Sequence, residues 1–224
     1  IRRDQAQNFV RKYGAWLIAA VVLFLAAVAG WLYWQNRELK RSAEQSEQLI
    51  QVYTDIGSGK TGDVPQRLDR LAEEGGDIVR ASALFTRASL ALQQGDRAKA
   101  LATYRQAHED EGLPQPYRDI ALIRATTLDF DNLKPEQVIA SLQPLTKAGN
   151  PWFGSAGELT AMAYLKQGKP ADAARLFAAI AADNQVPESI RSRAVQIAGT
   201  LGVDATASIM LISGVMPTPP ATIT

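Results

Sequence analysis

The chain contains no cysteine and one histidine, His108. The missing thiols exclude a disulfide framework and a thiolate metal site, and leave both reducing and oxidising compartments open. One histidine leaves no Cys/His zinc set and no Ser-His-Asp triad unless His108 itself serves. It follows Tyr104 by one helical turn and precedes Glu109, Asp110 and Glu111, which reads as a solvated helix end. Dense basic runs are missing as well. Lys and Arg number 24 against 23 Asp and Glu, and residues 1–41 hold seven of the cations against Asp4 and Glu38. The rest of the chain is mildly acidic, which excludes nucleic acid as a partner, because that binding needs clustered cations to displace counterions.

What is present begins with an uncharged run from Tyr13 to Asn36, 24 positions long. About 20 apolar residues cross a 30 Å hydrocarbon layer as a helix, so the run predicts a transmembrane span at 13–36. Tyr13 and Trp16 lie at one end and Trp31, Tyr33 and Trp34 at the other, where amphipathic rings settle at bilayer interfaces. A cleaved signal peptide has a shorter apolar region ending in small residues, and a core helix this apolar on every face does not suit so small a soluble domain. Arg2, Arg3, Arg11 and Lys12 precede the span and Arg37, Lys40 and Arg41 follow it. The balance favours residues 1–12 in the cytoplasm and residue 37 onward outside. Helical spacing continues through Ser42 to Ile56, so residues 37–60 read as an outward extension of the span ending in a turn.

Laid against itself at a shift of 73 residues, the remainder sets Ala88, Gly95, Ala100, Tyr104, Pro114, Arg118, Ala121 and Ala125 over Ala161, Gly168, Ala173, Phe177, Pro187, Arg191, Ala194 and Ala198. This spacing is close to two periods of the 34-residue tetratricopeptide repeat, so a more degenerate hairpin is expected between the copies. The small residues let paired helices approach, the glycines turn the hairpins, and Tyr104 and Phe177 fill the space between them. In both copies proline comes ten rather than eight residues after the aromatic, so the inter-repeat loops are two residues long for the family. Helices are predicted at Pro65–Glu73, Asp77–Gln94, Glu136–Leu142 and Glu188–Leu201, with the intervening unit spanning Tyr117–Lys147. The fold class is therefore all-α: one N-terminal transmembrane helix, then a tetratricopeptide-like helical-hairpin solenoid over residues 61–203. Pro217, Pro219 and Pro220 make 204–224 a non-helical tail.

The basic start, the single span, the Ser42–Tyr53 helix, Asn150-Pro151-Trp152, Gly168 to Phe177 and Pro187 to Arg193 together resemble the YfgM-like tetratricopeptide-repeat inner-membrane proteins. The resemblance covers nearly the whole chain except the tail. It implies a bacterial inner-membrane protein with a periplasmic helical domain, ancillary to the SecYEG translocon and associated with a PpiD-like periplasmic chaperone. It brings no catalytic residue and no cofactor, and an enzyme is not expected. Gly57-Ser58-Gly59-Lys60-Thr61-Gly62 satisfies a phosphate-loop pattern, but no strand precedes it and Thr54 stands where a Walker loop needs glycine, so it reads as an interhelical turn. Two functions stay open. One is a membrane-tethered protein-interaction module, and the other is a structural accessory subunit of a large respiratory or photosynthetic complex.

In tetratricopeptide arrays the first helix of each hairpin lines the partner groove. With Gly95 and Gly168 as position 15 of their repeats, the expected groove carries Ser82, Phe85, Ser89, Leu92 and Gln93 from one unit and Ser155, Glu158, Met162, Leu165 and Lys166 from the other. The apolar members suit a helix or unfolded segment of a protein partner, and Glu158 and Lys166 would set polarity. Phe85 and Leu92 have an equal claim to be core.

Overall fold

The computed structural model describes the backbone of residues 2–203, with the side chains of Trp16 and of residues 19–203; the tail at 204–224 lies outside the described residues. Among the described residues there is no strand. The helices are α1 (Arg2–Gly57), α2 (Val64–Glu74), α3 (Asp77–Gln93), α4 (Arg97–Glu109), α5 (Gln115–Asp129), α6 (Pro135–Leu142), α7 (Phe153–Lys166), α8 (Pro170–Ala182) and α9 (Glu188–Thr200), with a 3-10 turn at Gln143–Leu145. Contacts divide the chain within α3, between Val79 and Arg80.

In the first unit, α1 is one unbroken helix, and its stretch from Ala19 to Gly57 is long and apolar enough to cross a membrane. It ends where Gly59 adopts φ +77°, a conformation that glycine alone enters without steric cost. Lys60 N–H there reaches back to the Asp55 carbonyl at 2.8 Å, closing the last turn. The Gly57–Gly62 stretch is thus the end of a helix. Helix α2 turns Val64, Leu68 and Leu71 inward, while α1 buries Leu49 and Val52. Arg67 bridges to Asp55 at 2.6 Å. The Gln45 amide holds the far end of α2, donating to Glu74 O at 2.9 Å and accepting from Gly76 N at 3.0 Å. Helix α2, assigned from sequence to the repeat domain, therefore packs on the extension of α1.

The second unit is a stack of hairpins. The shift of 73 residues carries the end of α3 onto the end of α7, both ends of α4 onto those of α8, and the start of α5 onto that of α9. Gly95 and Gly168 both take positive φ, +78° and +70°, at the hairpin turns. The paired small residues Ala88/Ala161, Ala100/Ala173 and Ala121/Ala194 are all fully buried. The longer inter-repeat loops have one construction. Asp110 Oδ1 accepts from Gly112 N, Asp183 Oδ1 accepts from Gln185 N, and the next apolar residues, Leu113 and Val186, turn into the core before Pro114 and Pro187 cap α5 and α9. The extra residues thus supply an Asx turn and a hydrophobic plug. Three apolar clusters run along the stack, the first around Ala88, Ala100 and Tyr104, the second around Ile123, Val138 and Leu142, and the third around Phe153, Phe177 and Ile180. The middle hairpin is the degenerate one, its second helix α6 having 8 residues against 13 in α4 and in α8.

Leucine at Ala100 or Ala173 has no room, because each alanine is fully buried between neighbouring helices. Each substitution is expected to lower stability by about 1–3 kcal/mol. Thermal melts of the full chain in detergent check this, and unchanged transitions for both variants would refute the register of the two copies.

A groove across α5, α7 and α9

Helix α7 contacts α5 on one side and α9 on the other. Its glycines permit close packing by α8 and by the loop leading into α9: a Cβ on Gly154 would lie 2.7 Å from Val186 Cγ1, and one on Gly157 would lie 2.9 Å from Ile180 Cδ1. Across the three helices runs a groove of about 390 Å³. Helix α5 contributes Ile123, Arg124 and Thr127, α7 contributes Ser155, Glu158, Leu159 and Met162, and α9 contributes Arg193 and Ile197. Phe177 of α8 reaches the groove as its floor while being fully buried.

One ion pair joins α7 to α9 along one wall of the groove. Arg193 Nε and Nη2 donate to Glu158 Oε1 and Oε2, each at 2.6 Å. The paired fork fixes both side chains, and the Glu158 carboxylate is 18% exposed against 54% for the guanidinium. Hydrogen bonding to Glu158, followed by its charge, holds the Arg193 pKa above its ordinary value. Arg124 and Thr127 are exposed on the opposite wall, and Met162 between the walls is 42% exposed. With Glu158 neutralised by Arg193, Arg124 leaves the lining with an excess of positive charge over a sulfur-containing apolar centre.

Of the groove residues expected from sequence, Ser155, Glu158 and Met162 are brought together here. Leu165 packs on the cluster around Phe177 and Ile180. Lys166 is turned to the α5–α6 connection, donating to the Phe130 carbonyl at 3.1 Å with its Nζ 4.9 Å from the Phe130 ring centroid. Its neighbour Gln167 donates to Glu136 at 2.7 Å, a bond that, after the backbone hydrogen bond Glu136 receives, lowers the pKa of that carboxyl. On α3, Phe85 meets Tyr104 edge to face at 5.5 Å and packs on the cluster around Ala88, whereas Ser89, Leu92 and Gln93 are exposed and Ser82 is half-buried. None of the five α3 residues lines the α5–α7–α9 groove. Sequence reasoning missed Ile123, Arg124, Thr127, Arg193 and Ile197, since it built the groove from the two clearest repeats alone and left out α5 and α9. The repeat of Arg118 and Ala121 as Arg191 and Ala194 is the signal that α9 is the counterpart of α5.

Stacked helical hairpins with a groove shared between neighbouring helices define a helical-repeat interaction module. The chain belongs to the tetratricopeptide repeat-like domain family, whose pattern matches residues 7–198. Comparison with curated proteins and with solved structures gives no match.

Proposed function

We propose that this protein is a membrane-tethered interaction module that holds a protein partner in the α5–α7–α9 groove on the periplasmic side of a bacterial inner membrane. The observation that carries the reading is the groove itself, where exposed Met162 and half-buried Leu159 and Ile197 lie between Arg124 and the Glu158–Arg193 pair. Met and aliphatic groups accommodate varied apolar side chains, and the excess cation favours a segment that also carries a carboxylate. The α1 helix supports the tether, and the Lys/Arg balance around it supports a cytoplasmic N-terminus. By the YfgM-like resemblance, the partners are the SecYEG translocon and a PpiD-like chaperone. No catalytic role is assigned to any residue.

The test is a photoreactive amino acid at Met162, in the groove, and at Arg175, exposed on α8, in intact cells. Adducts with translocon or chaperone subunits from position 162 and none from 175 are expected, and protease added to spheroplasts should digest the repeat domain. Equal adducts from both positions would sink the groove reading. A respiratory or photosynthetic complex copurifying in fixed stoichiometry instead would establish the accessory-subunit alternative.

A further inference from the structure

The shift of 73 residues also relates two surfaces of the repeat domain. Of the large apolar side chains at residues 80–203, Leu92 on α3 and Met162 on α7 are the exposed ones, at 39% and 42%. They lie on one face of equivalent helices. Ser82, Phe85, Ser89 and Leu92 stand over Ser155, Glu158, Met162 and Leu165, with steps of three, four and three residues that keep to one side of a helix. On α5, Ile120 and Arg124 stand over Arg193 and Ile197 of α9. Helix α3 shares a cluster with α5 through Ala88, Ala125 and Leu128, as α7 contacts α9. The Glu158–Arg193 pair therefore has an apolar counterpart, because Phe85 and Ile120 hold its two positions and are both half-buried. Arg124 belongs to both surfaces. It lines the α5–α7–α9 groove, and on α5 it takes the place that Ile197 has on α9.

We propose that α3 and α5 form a second docking station, apolar where the first is charged, and that one segment of a protein partner runs across both. The proposal rests on the reading above, in which the α5–α7–α9 groove takes such a segment. Neighbouring packed helices lie about 8–10 Å apart, so Leu92 and Met162, with α5 between their helices, are separated by about 16–20 Å. An extended segment advances about 3.3 Å per residue, so about five or six residues link the stations. The occupant then has a defined pattern. It places one apolar side chain on Phe85, Ile120 and Leu92, another on Met162, and a carboxylate between them on exposed Arg124. The Phe85 ring, set edge to face on Tyr104, presents a fixed surface, whereas Met162 adapts to varied side chains. The second station thus selects shape, and Arg124 selects charge.

Two measurements on the full chain in detergent test this. The first reads the geometry without a partner. Phe85→Glu and Ile120→Arg should each lower the melting temperature, and the double variant should recover part of the loss, because the two positions meet as Glu158 and Arg193 do. A double variant no more stable than the worse single one would refute the equivalence and the second station with it. The other measurement is fluorescence anisotropy of a synthetic peptide in which two leucines flank a glutamate, each separated from it by two serines. Leu92→Gln changes an exposed residue, so it should leave melting unchanged. It should weaken binding several-fold, to the level at which the native chain binds the same peptide with one leucine replaced by serine. Arg124→Ala should remove the preference for this peptide over one carrying lysine in place of glutamate. If Met162→Gln weakens binding and Leu92→Gln does not, the second station is refuted and the groove reading stands. Unchanged binding in both variants, or no binding to the native chain, refutes both.

Discussion

Replacing Phe177 with alanine is expected to lower the stability of the repeat domain by about 3–5 kcal/mol, the cost of emptying a buried aromatic site. The ring is fully buried, belongs to the cluster with Ile180, Ala173 and Ala194, and closes the groove from below. Its removal withdraws contacts from α7, α8 and α9 together, so the cavity has little chance to collapse without shifting the groove walls. Thermal melts of the full chain in detergent should show the transition falling by roughly 10 °C. Crosslinking from Met162 should fall even at temperatures where the variant stays folded. A loss of less than about 1 kcal/mol would mean that the floor of the groove lies elsewhere.

The second expectation is an asymmetry between the two halves of the ion pair. Arg193→Ala leaves a mostly buried carboxylate at Glu158 without its partner, and an unsatisfied buried charged group costs about 1–3 kcal/mol or more. Glu158→Ala leaves a guanidinium that is more than half exposed, which water solvates, so its cost should stay below about 1 kcal/mol. The double variant should resemble Glu158→Ala, because the orphaned carboxylate is then gone. Melts of the three variants measure this, and equal losses for the two single variants would refute the burial difference on which it rests. In the groove the order changes. Both single substitutions free a charge beside Met162, but of opposite sign, so a partner segment carrying a carboxylate should crosslink more to Glu158→Ala and less to Arg193→Ala.

Much of the architecture was legible because it depends on spacings that a helix converts directly into faces. Ala88, Gly95, Ala100 and Tyr104 recur as Ala161, Gly168, Ala173 and Phe177, and such small and aromatic positions have a packing reason to recur. The long loops were visible as a departure in the placement of Pro114 and Pro187. That each holds an Asx turn and an apolar plug was not, since Leu113 and Val186 carry no mark that distinguishes a plug from an exposed loop residue. The candidate groove was legible only along α7. Ser155, Glu158 and Met162 follow from helical periodicity along α7, but Lys166 lies on its last turn, where a long side chain reaches the Phe130 carbonyl.

The sequence by itself determined the apolar length of α1, the hairpin periodicity, the two copies set 73 residues apart and the absence of thiol chemistry, because each follows from residue type and local spacing. Only the tertiary structure decided that α5 and α9 flank α7, that Glu158 is paired with Arg193, 35 residues away, and that Phe85 meets Tyr104. Those outcomes depend on which ridges of one helix enter which grooves of the next, and that choice is made by the whole set of packed side chains, not by any one segment.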